Sequence, residues 1–281
     1  MGTAVTIGKF DGFHLGHTLL LQKIKDYAEA HHVESIVYKL DFGGPCILDK
    51  KEQEDFVYGF GIDRFIRVPF TPEYASCSPE DFVKNILLKE LDAEYVVVGT
   101  DFCFGRNRSG NVDVLAKLSE EYGFKTEAVD KLRLDDEIIS STTIRSCIDN
   151  GDLTEADRRL GKNYGFSGKV GSGKKLGRSL GFPTVNIVPG EEKLLPKFGV
   201  YASRTIVEGK IYGSITNVGI RPSVDDGDTA NVETFIYDFS DDIYGEDIRV
   251  ELLKFIRAER KFESLDALKE QISLDIETAK L

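Results

Sequence analysis

Two stretches of the chain carry residue types at spacings that suit chemistry on phosphates. The first is Gly8-Lys-Phe-Asp-Gly-Phe-His-Leu-Gly-His17. Three glycines in ten residues let backbone come close to a phosphate, and the residues after them read as the start of a helix, whose free amides and dipole attract anions. His14 and His17 lie three residues apart in this turn, although the chain has only four histidines. Imidazoles so placed can hydrogen-bond a phosphate and stabilise the charge that develops when an α-phosphorus is attacked. The competing reading is a capped turn with two surface histidines; the concentration of histidine in one turn weighs against it. Gly8, Phe10, Asp11 and Gly16 complete the candidate nucleotide-binding turn. A second helix start, Ser140-Ser-Thr-Thr-Ile-Arg145, offers the hydroxyls of Ser141 and Thr142 as donors with Arg145 one turn on, a set that suits an anion. Taken alone it would be ordinary helix capping.

The second stretch is Gly168-Lys-Val-Gly-Ser-Gly-Lys-Lys175, one residue short of a phosphate-binding loop of the P-loop type. Position 175 is lysine where that loop needs a magnesium-ligating Ser or Thr, and no apolar helix follows. A P-loop is therefore rejected.

The elements that must position these residues change character along the chain. Residues 4–7, 35–40, 64–68, 94–98 and 125–129 are strand-like and alternate with helical patterns at 18–31, from Ser78 onward, and at 112–122. Such alternation predicts a parallel sheet with helices on both faces and ligands at the carboxyl ends of its strands. After residue 160 the pattern becomes strands at 201–207, 211–218, 231–237 and 248–256, separated by Gly- and Asp-rich turns. One helix capped by Ser264 closes the chain, with Leu265, Leu268, Ile272 and Ile276 as its apolar stripe. The predicted fold is α/β: a Rossmann-like parallel-sheet domain over residues 1–158, then a small β-barrel with a closing helix over 159–281. The boundary falls in a polar stretch, 155–162, that can itself be helical.

Composition bounds the rest. With 281 residues the chain is long enough for two ordinary cores, and a net charge of -12 argues against broad binding to nucleic acid. The four cysteines, Cys46, Cys77, Cys103 and Cys147, form no CxxC pair, a pattern of free thiols in a reducing cytoplasm. No signal peptide and no membrane span are expected.

The first motif resembles the HxGH signature of nucleotidyltransferases, and its full form is similar to the adenylyltransferase module of bacterial FAD synthetases. Gly99-Thr-Asp-Phe-Cys-Phe-Gly105 and Ile139-Ser-Ser-Thr-Thr-Ile-Arg145 resemble two further motifs of that family. The resemblance implies a nucleotide and flavin contact at Asp101, a flavin contact at Phe104, and triphosphate contacts at Ser141, Thr142 and Arg145. Two departures stand out: Lys9 replaces the family's usual Asn, and residues 39–45 lack its Phe-x-Pro-His-Pro element. In the second half, Gly177-Arg178, Gly181-Phe-Pro-Thr-Val-Asn186, Val232-Glu-Thr-Phe235 and Ile256-Arg-Ala-Glu-Arg-Lys-Phe262 resemble riboflavin kinases. By that resemblance Thr184 and Asn186 hold Mg²⁺ and nucleotide phosphates, Glu233 is the base for the riboflavin hydroxyl, and Arg221 contacts flavin. It also implies a glycine-rich flap, with Gly168, Lys174 and Arg178 over phosphates. The implied activity is phosphorylation of riboflavin by ATP to FMN, followed by adenylyl transfer from a second ATP to give FAD and pyrophosphate. The departures leave open a working kinase whose first domain only binds nucleotide or flavin. A flavin-sensing module without turnover is a third reading, opposed by the intact Thr184, Asn186 and Glu233.

Overall fold

The computed structural model describes residues 2–171, 182–221 and 229–280, with the side chains of Arg221 and Thr229 outside that description. Two compact units divide between Ser141 and Thr142.

In the first unit, short β-branched runs become the parallel strands β1 (Thr3–Gly8), β2 (Glu34–Asp41), β3 (Arg64–Pro69), β4 (Ala93–Gly99) and β5 (Lys125–Val129), in the order β3-β2-β1-β4-β5. Strand alternation sends Val5, Ile7, Ile36, Tyr38, Val96 and Val98 to one face. There they pack with Phe82, Val83, Leu87 and Leu115. Ala4, Val37 and Val97 take the other face, with Leu20, Leu21, Ile24 and Val57. Two buried faces are what a parallel sheet requires.

The helices begin where local chemistry supplies the missing acceptors. α1 (Leu15–His31) starts three residues earlier than its apolar pattern indicates, because His14 takes the N-cap position. α2 (Lys50–Phe60), not expected from the sequence, is opened by an Asp49/Glu52 capping box. A single turn, Pro72–Ser76, is α3. The Ser78 hydroxyl accepts from the Asp81 amide at 3.0 Å and starts the turn Pro79–Asp81, which runs into α4 (Phe82–Glu90). α4 is wound wide, its end closed by a five-residue bond from the Leu91 amide to the Ile86 carbonyl at 3.0 Å. α5 (Val112–Tyr122) is capped by Asn111 and stopped by Gly123 at φ 78°. A two-stranded ribbon, β6 (Arg133–Leu134) and β7 (Glu137–Ile138), leads to α6 (Ser141–Asn150).

The second unit contains most of α6, then α7 (Leu153–Leu160) over the polar stretch that the sequence left open. Six strands follow: β8 (Gly165–Gly171), β9 (Thr184–Ile187), β10 (Gly199–Val207), β11 (Lys210–Arg221), β12 (Thr229–Ile236) and β13 (Asp247–Arg257). They close into a barrel, β10-β11-β12-β9-β8-β13. The expected barrel is present, with two strands more than the sequence pattern picked out. Its interior is partly polar: Ser203, Thr205, Ser214, Thr216 and Thr234 are all buried and hydrogen-bond one another at 2.8–2.9 Å. A hydroxyl can both donate and accept, so each of the five finds a partner in one buried chain running from Thr205 to Thr234.

The units part ahead of the 158/159 boundary because α6 and α7 are tied to the barrel. The Lys197 amide bonds the Ile148 carbonyl, and the Asp157 carboxylate accepts from the Tyr164 amide at 2.7 Å. Burial pushes the Asp157 carboxyl up to about 7. Nearby Glu251 is pushed up by burial too, but bonds from Asn163, Arg204 and Arg249 outweigh that and hold it below the usual carboxylate range.

The closing helix α8 (Leu265–Ala279) is capped by Ser264 as its sequence indicates. Its stripe is only half-buried, and Leu265 is 56% exposed. The most buried residue of α8 is Asp275, which accepts from Arg257 of β13 at 2.7–2.9 Å and from Gln271 at 2.6 Å. The stripe is open because it faces a cavity.

Candidate functional sites

The first site grows from the β1–α1 turn. Three of its residues, Phe10 (φ 45°), Gly12 (φ 81°) and Phe13 (φ 45°), sit in the left-handed region. For phenylalanine that conformation costs on the order of 1–2 kcal/mol each. Both rings are fully buried and stacked 5.4 Å apart, and this burial offsets the strain. Gly12 is needed for φ and for space, since a Cβ would lie 3.0 Å from Ile47. The turn is pinned from outside as well. The Asp11 carboxylate accepts from the Ile47 amide at 2.8 Å, and its carbonyl accepts from the Ser141 hydroxyl at 3.0 Å.

His14 and His17 are brought face to face, rings 3.7 Å apart, at the amino end of α1. Gly16 leaves room for this, because a Cβ there would stand 3.2 Å from the His14 ring. Two imidazoles, free amides at a helix start and a left-handed turn form a compact anion-recognition surface. Gly8 ends β1 directly beneath it. Asp101 lies beyond the end of β4, with its carboxylate 65% exposed and paired with Lys131 at 2.8 Å. Phe104 is different: it is 6% exposed, packed between Phe82 and Phe102, and has little surface to give a flavin. The exposed aromatic surface of this unit that sequence reading missed is Phe42 stacked on Phe70 at 4.3 Å, with the Lys9 ammonium 4.3 Å over Phe42. The signal was there, since Lys9 and residues 39–45 are where the motif departs from its family. Thr142 and Arg145 continue α6 into the second unit, Arg145 one turn past Ser141.

The second site lies on the outer wall of the barrel. Register places Asn186 of β9 beside Glu233 of β12, and Glu233 beside Asn217 of β11, so three polar residues form one row across adjacent strands. The next row is Thr184, Phe235 and Ile215. Glu233, Asn217, Thr184, Phe235 and Ile215 of these rows line a cavity of about 290 Å³ that α8 walls with Leu268, Ile272 and Asp275. Phe182 and Phe262 add aromatic faces, and Arg257, Glu259 and Arg260 add charge. A ligand suited to this space has a flat apolar body and a polar tail.

Within the row, Asn186 is 6% exposed, yet its side-chain oxygen is buried with no hydrogen-bond partner among the described residues. A buried orphan acceptor costs roughly 1–3 kcal/mol, so an occupant that satisfies it is expected. With Thr184 on the same face of β9, it provides two hard oxygens of the kind Mg²⁺ takes. The flap reading needs one correction. Gly168 is not in a loop but in β8, paired with Ile248, and a Cβ there would lie 3.0 Å from Ile187. It is glycine to let β8 pack against β9. Lys174, Arg178 and the Arg221 side chain lie outside the described residues.

The molecule thus joins an HxGH-type nucleotide-binding sheet to a six-stranded barrel with an outer cavity, the two parts of a flavin-nucleotide synthesising enzyme. The FAD synthetase family model matches residues 1–143 and the riboflavin kinase model residues 160–281. The chain is 36% identical to the bifunctional riboflavin kinase/FMN adenylyltransferase of Haemophilus influenzae, over 99% of this chain and 94% of that protein. It is 34% identical to the Escherichia coli protein of the same name, over 99% and 92%. A solved structure described as a macrolide-efflux protein from Streptococcus pneumoniae superposes with a TM-score of 0.86 at 28% identity, over 99% of this chain and 94% of that one. Among the described residues no helix is long and apolar enough to cross a membrane. The chain belongs to the bifunctional riboflavin kinase/FMN adenylyltransferase family.

Proposed function

We propose that the chain phosphorylates riboflavin to FMN at the barrel and adenylylates FMN to FAD at the β1–α1 turn. The observation that carries the first step is the row Asn186–Glu233–Asn217 at a cavity with aromatic and aliphatic walls. Phosphoryl transfer needs the hydroxyl held in line, a base for its proton and compensation of phosphate charge. Glu233 faces the cavity and takes the proton of the terminal ribityl hydroxyl as the oxygen attacks the γ-phosphorus of ATP and ADP leaves with the bridging oxygen. Thr184 and Asn186 would hold Mg²⁺; when bound it neutralises charge on the nucleotide phosphates. Lys174, Arg178 and Arg221 are assigned phosphate and flavin contacts by family resemblance.

At the turn, the FMN phosphate attacks the α-phosphorus of ATP and pyrophosphate leaves. No base is required, because the attacking phosphate is already anionic. His14 and His17 stabilise charge on the transferred group, while Gly8, Phe10, Asp11 and Gly16 shape the backbone that receives it. Ser141, Thr142 and Arg145 serve the β- and γ-phosphates, and Asp101 the nucleotide and flavin. Phe104 supports the flavin site from within the core. Riboflavin, FMN and ATP are the small-molecule partners, and four cysteines that form no disulfide suit a cytoplasmic setting. The test is to incubate the full chain with riboflavin and MgATP and separate the flavins by chromatography. FMN followed by FAD is expected. FMN that never proceeds overturns the adenylyl step, and no product overturns both.

A further inference from the structure

The cavity holds a second carboxylate that proton transfer does not use. Glu259 follows the end of β13 and lines the same space as Glu233. The Asn217 amide, next to Glu233 in the row, donates to Glu259 Oε1 at 2.9 Å. Asn217 thus stands between two carboxylates, beside one and bonded to the other. The other charged groups of the cavity are engaged elsewhere: Arg257 by Asp275 and Arg260 by Gln271.

Two residues along β11 from Asn217, on the same face, is Gly219. Its φ is not in the left-handed region, so the backbone does not demand glycine. Space does. A Cβ at 219 would lie 2.2 Å from Glu259 Oε1 and 2.8 Å from its Cδ. A missing side chain and a dedicated amide donor together seat the Glu259 carboxylate on the barrel wall.

The rows order the cavity. Phe235 and Ile215 form its apolar row, Glu233 and Asn217 the next, and Asn231 pairs with Gly219 in the one after, where Glu259 sits. An amphipathic substrate lying across these rows puts its ring by Phe235 and its polar tail by Glu233 and Glu259. Resting on the kinase reading above, we propose that Glu259 is a specificity-determining residue that accepts hydrogen bonds from the secondary hydroxyls of the substrate's polyol chain. Asn217 and Gly219 position it. A carboxylate is acceptor-only, so it favours a tail of hydroxyl donors over an alkyl tail of equal length, which offers it none.

The test compares two flavins with saturating MgATP: riboflavin, and the same ring carrying a 5-hydroxypentyl chain that keeps only the terminal hydroxyl. In Glu259→Ala the ratio of kcat/KM between riboflavin and the hydroxypentyl flavin should fall by about 10- to 100-fold, mainly through the KM for riboflavin. Gly219→Ala keeps the carboxylate but displaces it, and should lower the same ratio to a smaller degree. It tests the idea independently should Glu259→Ala fold poorly. An unchanged ratio in well-folded variants overturns the proposal, whatever happens to the overall rate. If the unaltered chain phosphorylates neither flavin, the kinase reading falls and this inference with it.

Discussion

The two units solve the problem of holding phosphate chemistry in opposite ways. In the first, one contiguous turn does the work: Gly8 to His17 brings glycines, left-handed phenylalanines, a helix start and two stacked imidazoles together within ten residues. In the second, the described site residues are scattered along the chain. Asn186, Asn217 and Glu233 come from three strands and meet only because β9, β12 and β11 pair in one register. A turn is specified locally and tolerates change elsewhere. A row of strand residues depends on every turn and bulge that sets the register, because a slip of one residue sends each side chain to the other face.

That contrast predicts separable losses. The largest effect is expected for Glu233→Gln, which removes the proposed base from the barrel row. Formation of FMN should fall by about 10²–10⁴-fold while FMN is still converted to FAD, measured by supplying each flavin separately. Equal loss of both steps would remove the division of labour. Next is Arg257→Met, which leaves the nearly fully buried Asp275 carboxylate without its guanidinium and loosens α8 from β13. Breaking such a pair costs about 3 kcal/mol or more, so the barrel unit should melt earlier. An unchanged melting temperature would mean that α8 is held by its apolar contacts. His17→Ala should lower FAD synthesis by about 10²-fold and leave riboflavin phosphorylation intact. Unaltered FAD synthesis would take the histidine pair out of the reaction.

The smallest effect is a pH dependence. Asp157 is raised to about 7 by burial, so between its unfolded value and that pH the folded state holds a proton the unfolded state has lost. Stability therefore falls as pH rises from about 4 to about 7 and levels off above. Asp157→Asn can still accept from the Tyr164 amide but cannot ionise. Its stability relative to the unaltered chain should improve across that window by on the order of 1–2 kcal/mol, read from denaturant melts at each pH. A gap that does not vary with pH would show that Asp157 titrates normally.

Much of this was legible in advance, and unevenly. The five parallel strands were readable because β-branched runs alternate with helical periods. Ser78 and Ser264 announced their helices by capping chemistry that is local. α2 was missed because its apolar positions are few and its start depends on the Asp49/Glu52 box. β8 was hidden by its glycines, of which Gly165 and Gly168 serve close packing against neighbouring strands. Phe104 reads as a ligand contact in a motif, yet three-dimensional packing turned its ring into the core.

The order of residues alone determined the class of each half and singled out the β1–α1 turn and Glu233 as candidates for phosphate chemistry, because these rest on neighbours in sequence or on motifs that survive as strings. Only tertiary structure decided that Asn186 has a buried oxygen to satisfy, that Phe42 and Phe70 stack under Lys9, and that Gly219 makes room for Glu259 beside Asn217. Each of these joins residues far apart in the chain, and strand pairing and burial, not local preference, set the distances between them.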